Sequence, residues 1–152
     1  MKIDYKITPD LGKLGAKLQG DVHGARRAGM INLVTEVEAR ARKYAPVKRS
    51  NLANSGTSNV NAAGTVGTVA FIAPYAKYVH EGTGLYGPHK TKIVPKGKKA
   101  LFWPGAAHPV RAVKGMKANP FLLKAAKESD MQKLFTEGAE NFLNKQPVIP
   151  VL

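Results

Sequence analysis

The sequence predicts an α+β fold: a long N-terminal helix, an antiparallel sheet of about four strands carrying a long basic loop, and a C-terminal helical segment. Three observations carry that expectation. Apolar residues recur at spacings of three and four from Leu11 to Tyr44. Short strand-like runs occupy 2–7, 66–72 and 99–103. Asn119-Pro120 then opens a second apolar pattern of helical period.

In chain order, Lys2-Ile3-Asp4-Tyr5-Lys6-Ile7 alternates polar and apolar, as a half-buried strand does. Thr8-Pro9-Asp10 is a helix start, with Thr8 able to cap free amides, Pro9 tolerated at the first helical position and Asp10 suited to the positive end of the dipole. The stripe Leu11, Leu14, Leu18, Val22, Ala25, Gly29, Leu33, Val37, Ala41 and Tyr44 follows, with Lys13, Lys17, Arg26, Arg27, Arg40 and Lys43 largely off it. Gly12, Gly15, Gly20, Gly24 and Gly29 oppose a helix at about 1 kcal/mol each against alanine, so a break or kink is expected near Gly20. Pro46 ends the helix by pushing its predecessor out of helical geometry.

Residues 50–65 have a turn-and-edge composition anchored by Leu52 and Val60, and Val66–Ile72 has strand character between Gly64 and Pro74. Tyr75–Glu81 fits either a continuing strand or a helical turn. Gly82-Thr-Gly84 and Gly87-Pro88 open a long exposed loop. Lys99–Trp103 reads as a strand closed by Pro104-Gly105, with 109–113 as its partner and one of Phe102 and Trp103 directed into the core. Phe121, Leu122, Ala125 and Ala126 form the apolar face of the next helix; Met131, Leu134, Phe135, Gly138, Phe142 and Leu143 continue after a break near Ser129-Asp130. Residues 1–146 are expected to form a single domain. The apolar tail 147–152, with Pro147 and Pro150, is either disordered or docked on a neighbour.

Composition narrows the function. The 152 residues hold 24 Lys+Arg against 10 Asp+Glu, a net charge of +14, which opposes an acidic cation site and points to a polyanionic partner. The 43% hydrophobic content allows a folded core. Without cysteine there is no disulfide, thiolate nucleophile or Cys-type zinc site, and a cytoplasmic compartment is expected. Charge at 2–6 with no apolar run behind it leads us to expect no signal peptide, and no apolar run approaches the roughly 18 residues of a membrane span. The charge is unevenly placed: 86–117 contains Lys90, Lys92, Lys96, Lys98, Lys99, Arg111, Lys114 and Lys117 with no acid. Such a stretch is either a solvated lysine-rich loop or one that meets phosphate or an acidic partner.

Catalytic patterns are missing. His23, His80, His89 and His108 are scattered, and His80-Glu81 would point to opposite faces of a strand, so no metal site or cofactor is expected. Ser50, Ser55 and Ser58 lack a nucleophile elbow, and Val94–Lys99 has lysines but not the glycine spacing of a phosphate loop. Glu81 is the sole acid between Glu38 and Glu128, which leaves no carboxylate pair. A small metal-independent ribonuclease built on Lys, Arg, His and Tyr near 75–111 stays open as an alternative, as does a basic nucleic-acid-binding module.

Three segments in order carry a resemblance. Tyr44-Ala-Pro46-Val47 with Leu52, then Tyr75-Ala-Lys-Tyr78-Val-His-Glu81-Gly82-Thr83, then Asn119-Pro120-Phe121-Leu122 with Ala125, together resemble the minor tail-component or neck protein family of long-tailed phages. Ile93–Lys96 and Lys99–Leu101 look like that family's middle strands. Lys48-Arg49-Ser50 stands where the family has Asp-Thr-Gly, reversing the charge of that turn, and His80 precedes Glu81 where the family's glutamate is placed one residue earlier. The resemblance implies a structural virion protein, not an enzyme, found in the neck or the part of the tail nearest the head and in host cytoplasm during assembly. It implies a homo-oligomeric ring that meets other neck, head-completion or tail-tube proteins and no membrane; either non-specific contact with genomic DNA passing through or near the ring, or an acidic portal-side neighbour, would account for the basic loop. Physically, Pro46 would aim the chain into the sheet, Gly82 and Gly84 would launch the basic loop, and Pro120 would restart a helix whose Phe121 and Leu122 pack on the sheet.

Overall fold

The computed structural model describes residues 3–7, 22–46 and 51–145. The expected cap at Thr8-Pro9-Asp10, the stripe before Val22, the break near Gly20, the turn at Lys48-Arg49-Ser50 and the apolar tail lie outside those residues. The fold class is α+β, with strand β1 (Ile3–Ile7), helix α1 (Val22–Tyr44), helix α2 (Asn51–Asn54), strands β2 (Gly56–Val60) and β3 (Gly67–Phe71), and helices α3 (Ala76–Glu81), α4 (Phe121–Glu128) and α5 (Met131–Asn144). None of the described helices is long and apolar enough to cross a membrane. The chain divides into two compact units: a helix–sheet unit from the segments before Pro74 and after Pro120, and a loop unit of residues 74–120.

The helix–sheet unit holds a three-stranded antiparallel sheet in the order β1-β3-β2. β3 is central, pairing Ile3 with Phe71 through Ile7 with Gly67 on one side, and Gly56 with Phe71 through Val60 with Gly67 on the other. The Asn61 side chain closes the β2–β3 turn, its Oδ1 accepting from the Thr65 and Val66 amides at 2.8 and 3.0 Å. The turn composition read over 50–65 therefore holds a short helix and an edge strand. β2 alternates in burial, as an edge strand with one solvated face does, whereas Val69, Ala70 and Phe71 of β3 are all buried.

Helix α1 buries Ala25, Gly29, Met30, Leu33, Val34, Val37 and Ala41, so the expected stripe is present from Ala25 onward, widened by Met30 and Val34; Val22 is exposed. The helix ends before Pro46, and its last turn is closed by the Ala45 amide on the Ala41 carbonyl at 2.9 Å. α4 and α5 both pack on α1. Between them Ser129 donates to the Ala125 carbonyl at 2.8 Å, and Asp130 caps α5 by accepting from the Lys133 amide at 3.0 Å. That is the break expected at Ser129-Asp130. Phe121 and Leu122 are fully buried, and the Phe121 ring meets Phe71 edge-on with centroids 4.9 Å apart. The pair adds about 0.5–1.5 kcal/mol beyond its buried area, and it fixes the restarted helix to the central strand.

α1 and α5 cross where both are glycine. A Cβ on Gly138 would lie 2.5 Å from Asn32 Cβ and 2.9 Å from the Ala28 carbonyl, and one on Gly29 would lie 2.6 Å from the Phe135 carbonyl. Gly29, an objection to the helix in the sequence, is what lets α5 approach it.

The fourth strand is not formed. Lys99–Trp103 and 109–113 meet only through one isolated antiparallel bridge, Leu101 with Val110, and a second such bridge joins Ile93 to Val113. Seven residues (94–100) separate the two bridges on one side and two (111–112) on the other, so no continuous ladder can join them. Neither Phe102 nor Trp103 enters a core; they are 67% and 45% exposed.

Candidate functional site

The loop unit is organised from its base. Tyr75–Glu81, open between strand and helix in the sequence, is a helix that buries Ala76 and Val79 and exposes Tyr75 and Tyr78. The two tyrosines are therefore helix-surface residues, not the half-buried sheet aromatics that a strand would make of them. Past the helix, Gly82-Thr83-Gly84-Leu85 runs against Lys114-Gly115-Met116. The Thr83 amide donates to the Met116 carbonyl at 2.9 Å, the Leu85 amide to the Lys114 carbonyl at 2.8 Å, and Thr83 Oγ1 accepts from the Met116 amide at 2.9 Å. Gly84 and Gly115 sit at φ +62° and +93°, and a Cβ on either would fall 2.3 Å from the Lys114 carbonyl or 2.1 Å from that of Thr83. Only glycine at both positions permits this clamp.

The chain leaves the clamp in two stages. Ile93 and Val113 exchange both backbone hydrogen bonds at 2.9 Å, and Leu101 and Val110 do so at 2.8 and 3.0 Å. Between the bridges, Val94–Ala100 bows out with Pro95 half-buried and Gly97 at φ +79°, carrying Lys96, Lys98 and Lys99 into solvent. Beyond the second bridge, the Ala106 amide closes a turn on the Trp103 carbonyl at 3.0 Å. A cleft of about 580 Å³ opens beside the clamp, lined by Tyr78, Thr83, His89, Thr91, Lys92, Ile93 and Lys96 among others.

All eight basic residues expected to make contacts are exposed: Lys90, Lys92, Lys96, Lys98, Lys99, Arg111, Lys114 and Lys117. Lys117 Nζ lies 5.9 Å from the centroid of the Tyr86 ring. The ion pairs among described residues are Glu38–Arg42, Lys124–Glu128 and Lys133–Glu137, and none uses a base from this stretch. With Lys77 added, the unit has nine basic residues against Glu81 alone. Half-buried His80 is held below the ordinary imidazole range by burial, which the neighbouring Glu81 carboxylate opposes.

What the sequence reading missed is the apolar half of this surface. Of the twelve exposed large hydrophobic residues among those described, nine belong to the loop unit: Tyr75, Tyr78, Leu85, Tyr86, Ile93, Val94, Phe102, Trp103 and Met116. Only Ala76, Val79, Gly82 and Gly87 are buried within its 47 residues. The available signal was the density of prolines and glycines from 82 to 115, which denies these side chains a sheet to cover them.

The remaining motif residues, Pro120 apart, have structural surroundings in the helix–sheet unit. Tyr44 donates its hydroxyl to the Glu128 carboxylate, Lys124 Nζ sits 4.5 Å from the Tyr44 ring centroid, and Arg40 donates to the Glu128 carbonyl at 3.3 Å. The Glu128 contact, with lesser desolvation, raises the Tyr44 phenol above its usual range. Leu52 is buried on α2, while Pro46 and Pro120 are exposed beside helix ends. Among the described residues no three His, Asp or Glu side chains converge as a metal site would require, and His89 and His108 are both exposed. No protein-family model, curated protein or solved structure matches the chain.

Proposed function

We propose that this chain is a structural virion protein of a long-tailed phage, forming a ring in the neck or at the end of the tail nearest the head, where it completes the tail or joins it to the head. The observation that carries the reading is the loop unit, in which nine large apolar side chains stand exposed and four residues are buried. Their concentration in one 47-residue unit suits that unit to association. Fully burying one large apolar side chain contributes about 1.5–3 kcal/mol; these start roughly half exposed, so holding neighbouring copies takes several of them together. The motif residues support the same reading, because Tyr44 joins α1 to α4 and Leu52, Phe121 and Leu122 are buried in the helix–sheet unit.

Sedimentation velocity tests this. The chain is expected to run as one closed oligomer, alone or after mixing with tail-tube or head-completion proteins. Replacing Phe102→Ser with Trp103→Ser should return it to monomer with unfolding changed by no more than about 0.5 kcal/mol, as for other surface substitutions. A chain that stays monomeric under every one of these conditions would refute the ring.

A further inference from the structure

We propose that the lysine face of the loop unit holds duplex DNA by its phosphate backbone without reading base sequence. The proposal rests on the virion reading for the presence of DNA, although the contact is argued from the loop itself.

Its chemistry separates phosphate from protein as the partner. The unit carries eight lysines and one arginine. Protein interfaces are depleted in lysine and enriched in arginine, whose planar fork fixes carboxylates in one geometry. Lysine is a hydrated point charge on a flexible stem, suited to a line of phosphates met in any register. Duplex DNA offers such a line, about one charge per 1.7 Å of axis. Lys90 and Lys92, then Lys96 and Lys98, recur at every second residue, and Lys99 follows. All five are exposed, and the last three ride on the bowed segment between the two bridges.

The same stretch lacks most of the side chains that read bases. Adenine is read by Asn or Gln and cytosine by Asp or Glu, and at guanine, which Arg or Lys can contact, the flexible lysine stem is the less geometrically fixed of the two. Residues 86–117 contain no Asn, Gln, Asp or Glu, and Arg111 is their one arginine. Attraction without readout is the expected result, at a place the glycine clamp holds open.

The test compares the unaltered chain with two charge-matched variants. One changes Lys90, Lys92, Lys96, Lys98 and Lys99 to Gln. The other changes Arg27, Lys43, Lys127, Lys133 and Lys145, exposed residues of the helix–sheet unit, to Gln. Binding to duplexes of unrelated sequence is followed by fluorescence anisotropy across salt concentrations. Five phosphate contacts give a log–log slope near −4.5, or roughly a 500-fold loss of affinity between about 50 and 200 mM salt. The loop variant should lose about four units of that slope and the control variant less than about one. Equal losses in the two variants, an unchanged slope in the loop variant, or discrimination between duplex sequences would each overturn the proposal. So would tighter binding to single strands that Trp103→Ala abolishes, which would mean base stacking. Sedimentation of the same samples, alone and mixed with tail-tube or head-completion proteins, separates the two readings: an intact ring with an unaffected slope refutes the DNA contact alone, and a chain monomeric in all of them that loses its slope in the loop variant refutes the ring alone.

Discussion

His80 joins a titrating group to the base of the loop. It stands half-buried on α3, immediately before Glu81 and the clamp glycine Gly82, and burial keeps its imidazole below 6.5. The unfolded chain therefore takes up a proton near pH 6.5 while the folded one resists. The stability this neutral ring contributes is complete above that pH and is lost as pH falls through the lowered folded value. Measured against the intrinsic rate, which itself falls as pH falls over this range, the protection of amides across 79–117 should decline between pH 7 and pH 5. His80→Gln, uncharged throughout, should remove that decline; the same profile in both proteins would place the pH sensitivity elsewhere. Little of this was legible in the sequence. Gly82-Thr-Gly84 announced a turn, but Gly115 lies 31 residues beyond Gly84 between two unremarkable neighbours. Nothing local says that its missing side chain makes room for the Thr83 carbonyl.

At the scale of elements, the α1–α5 crossing sets helix propensity against packing. Gly138→Ala on an isolated helix would stabilise by about 1 kcal/mol. Here the new methyl would meet Asn32 Cβ, the Ala28 carbonyl and Gly29 Cα at 2.5–3.0 Å, two of them backbone atoms that cannot turn aside. Forcing the helices apart costs about 1–3 kcal/mol, and it strains the 2.7 Å bond from Asn32 Nδ2 to the Leu134 carbonyl. Packing wins. Urea unfolding should show Gly138→Ala destabilised by about 1–2 kcal/mol, and a raised midpoint would mean that the crossing relaxes freely. Elements whose period persists for several turns could be read from the sequence: α1, α4 and α5 repeat their apolar spacing long enough to exclude a strand. α3 could not, because its six residues span less than two helical turns, too few repeats to fix a period. The supposed fourth strand had local strand composition, but nothing in the loop unit covers Phe102 and Trp103, so pairing stops at single bridges.

For the whole molecule, charge and apolar surface impose opposite salt dependences on the two proposed contacts. Each copy carries +14, and the loop unit's nine bases and single acid account for +8 of it. Copies that join through exposed apolar side chains must bring these like charges together, and in low salt the repulsion reaches beyond the contact, about 30 Å at 0.01 M against about 8 Å at physiological ionic strength. Apolar burial needs no counterions, so added salt removes an opposing force without weakening the attraction. The oligomeric fraction should therefore rise between about 10 and 150 mM salt, while affinity for duplex DNA falls over the same interval through counterion release. A short duplex added at the lowest salt should substitute for the missing screening and restore the oligomer. The five-lysine loop variant, relieved of much of its repulsion, should oligomerise in low salt without DNA. Sedimentation across that range decides the matter: an oligomer that dissolves as salt is raised would mean that ion pairs, not the nine apolar side chains, join the copies.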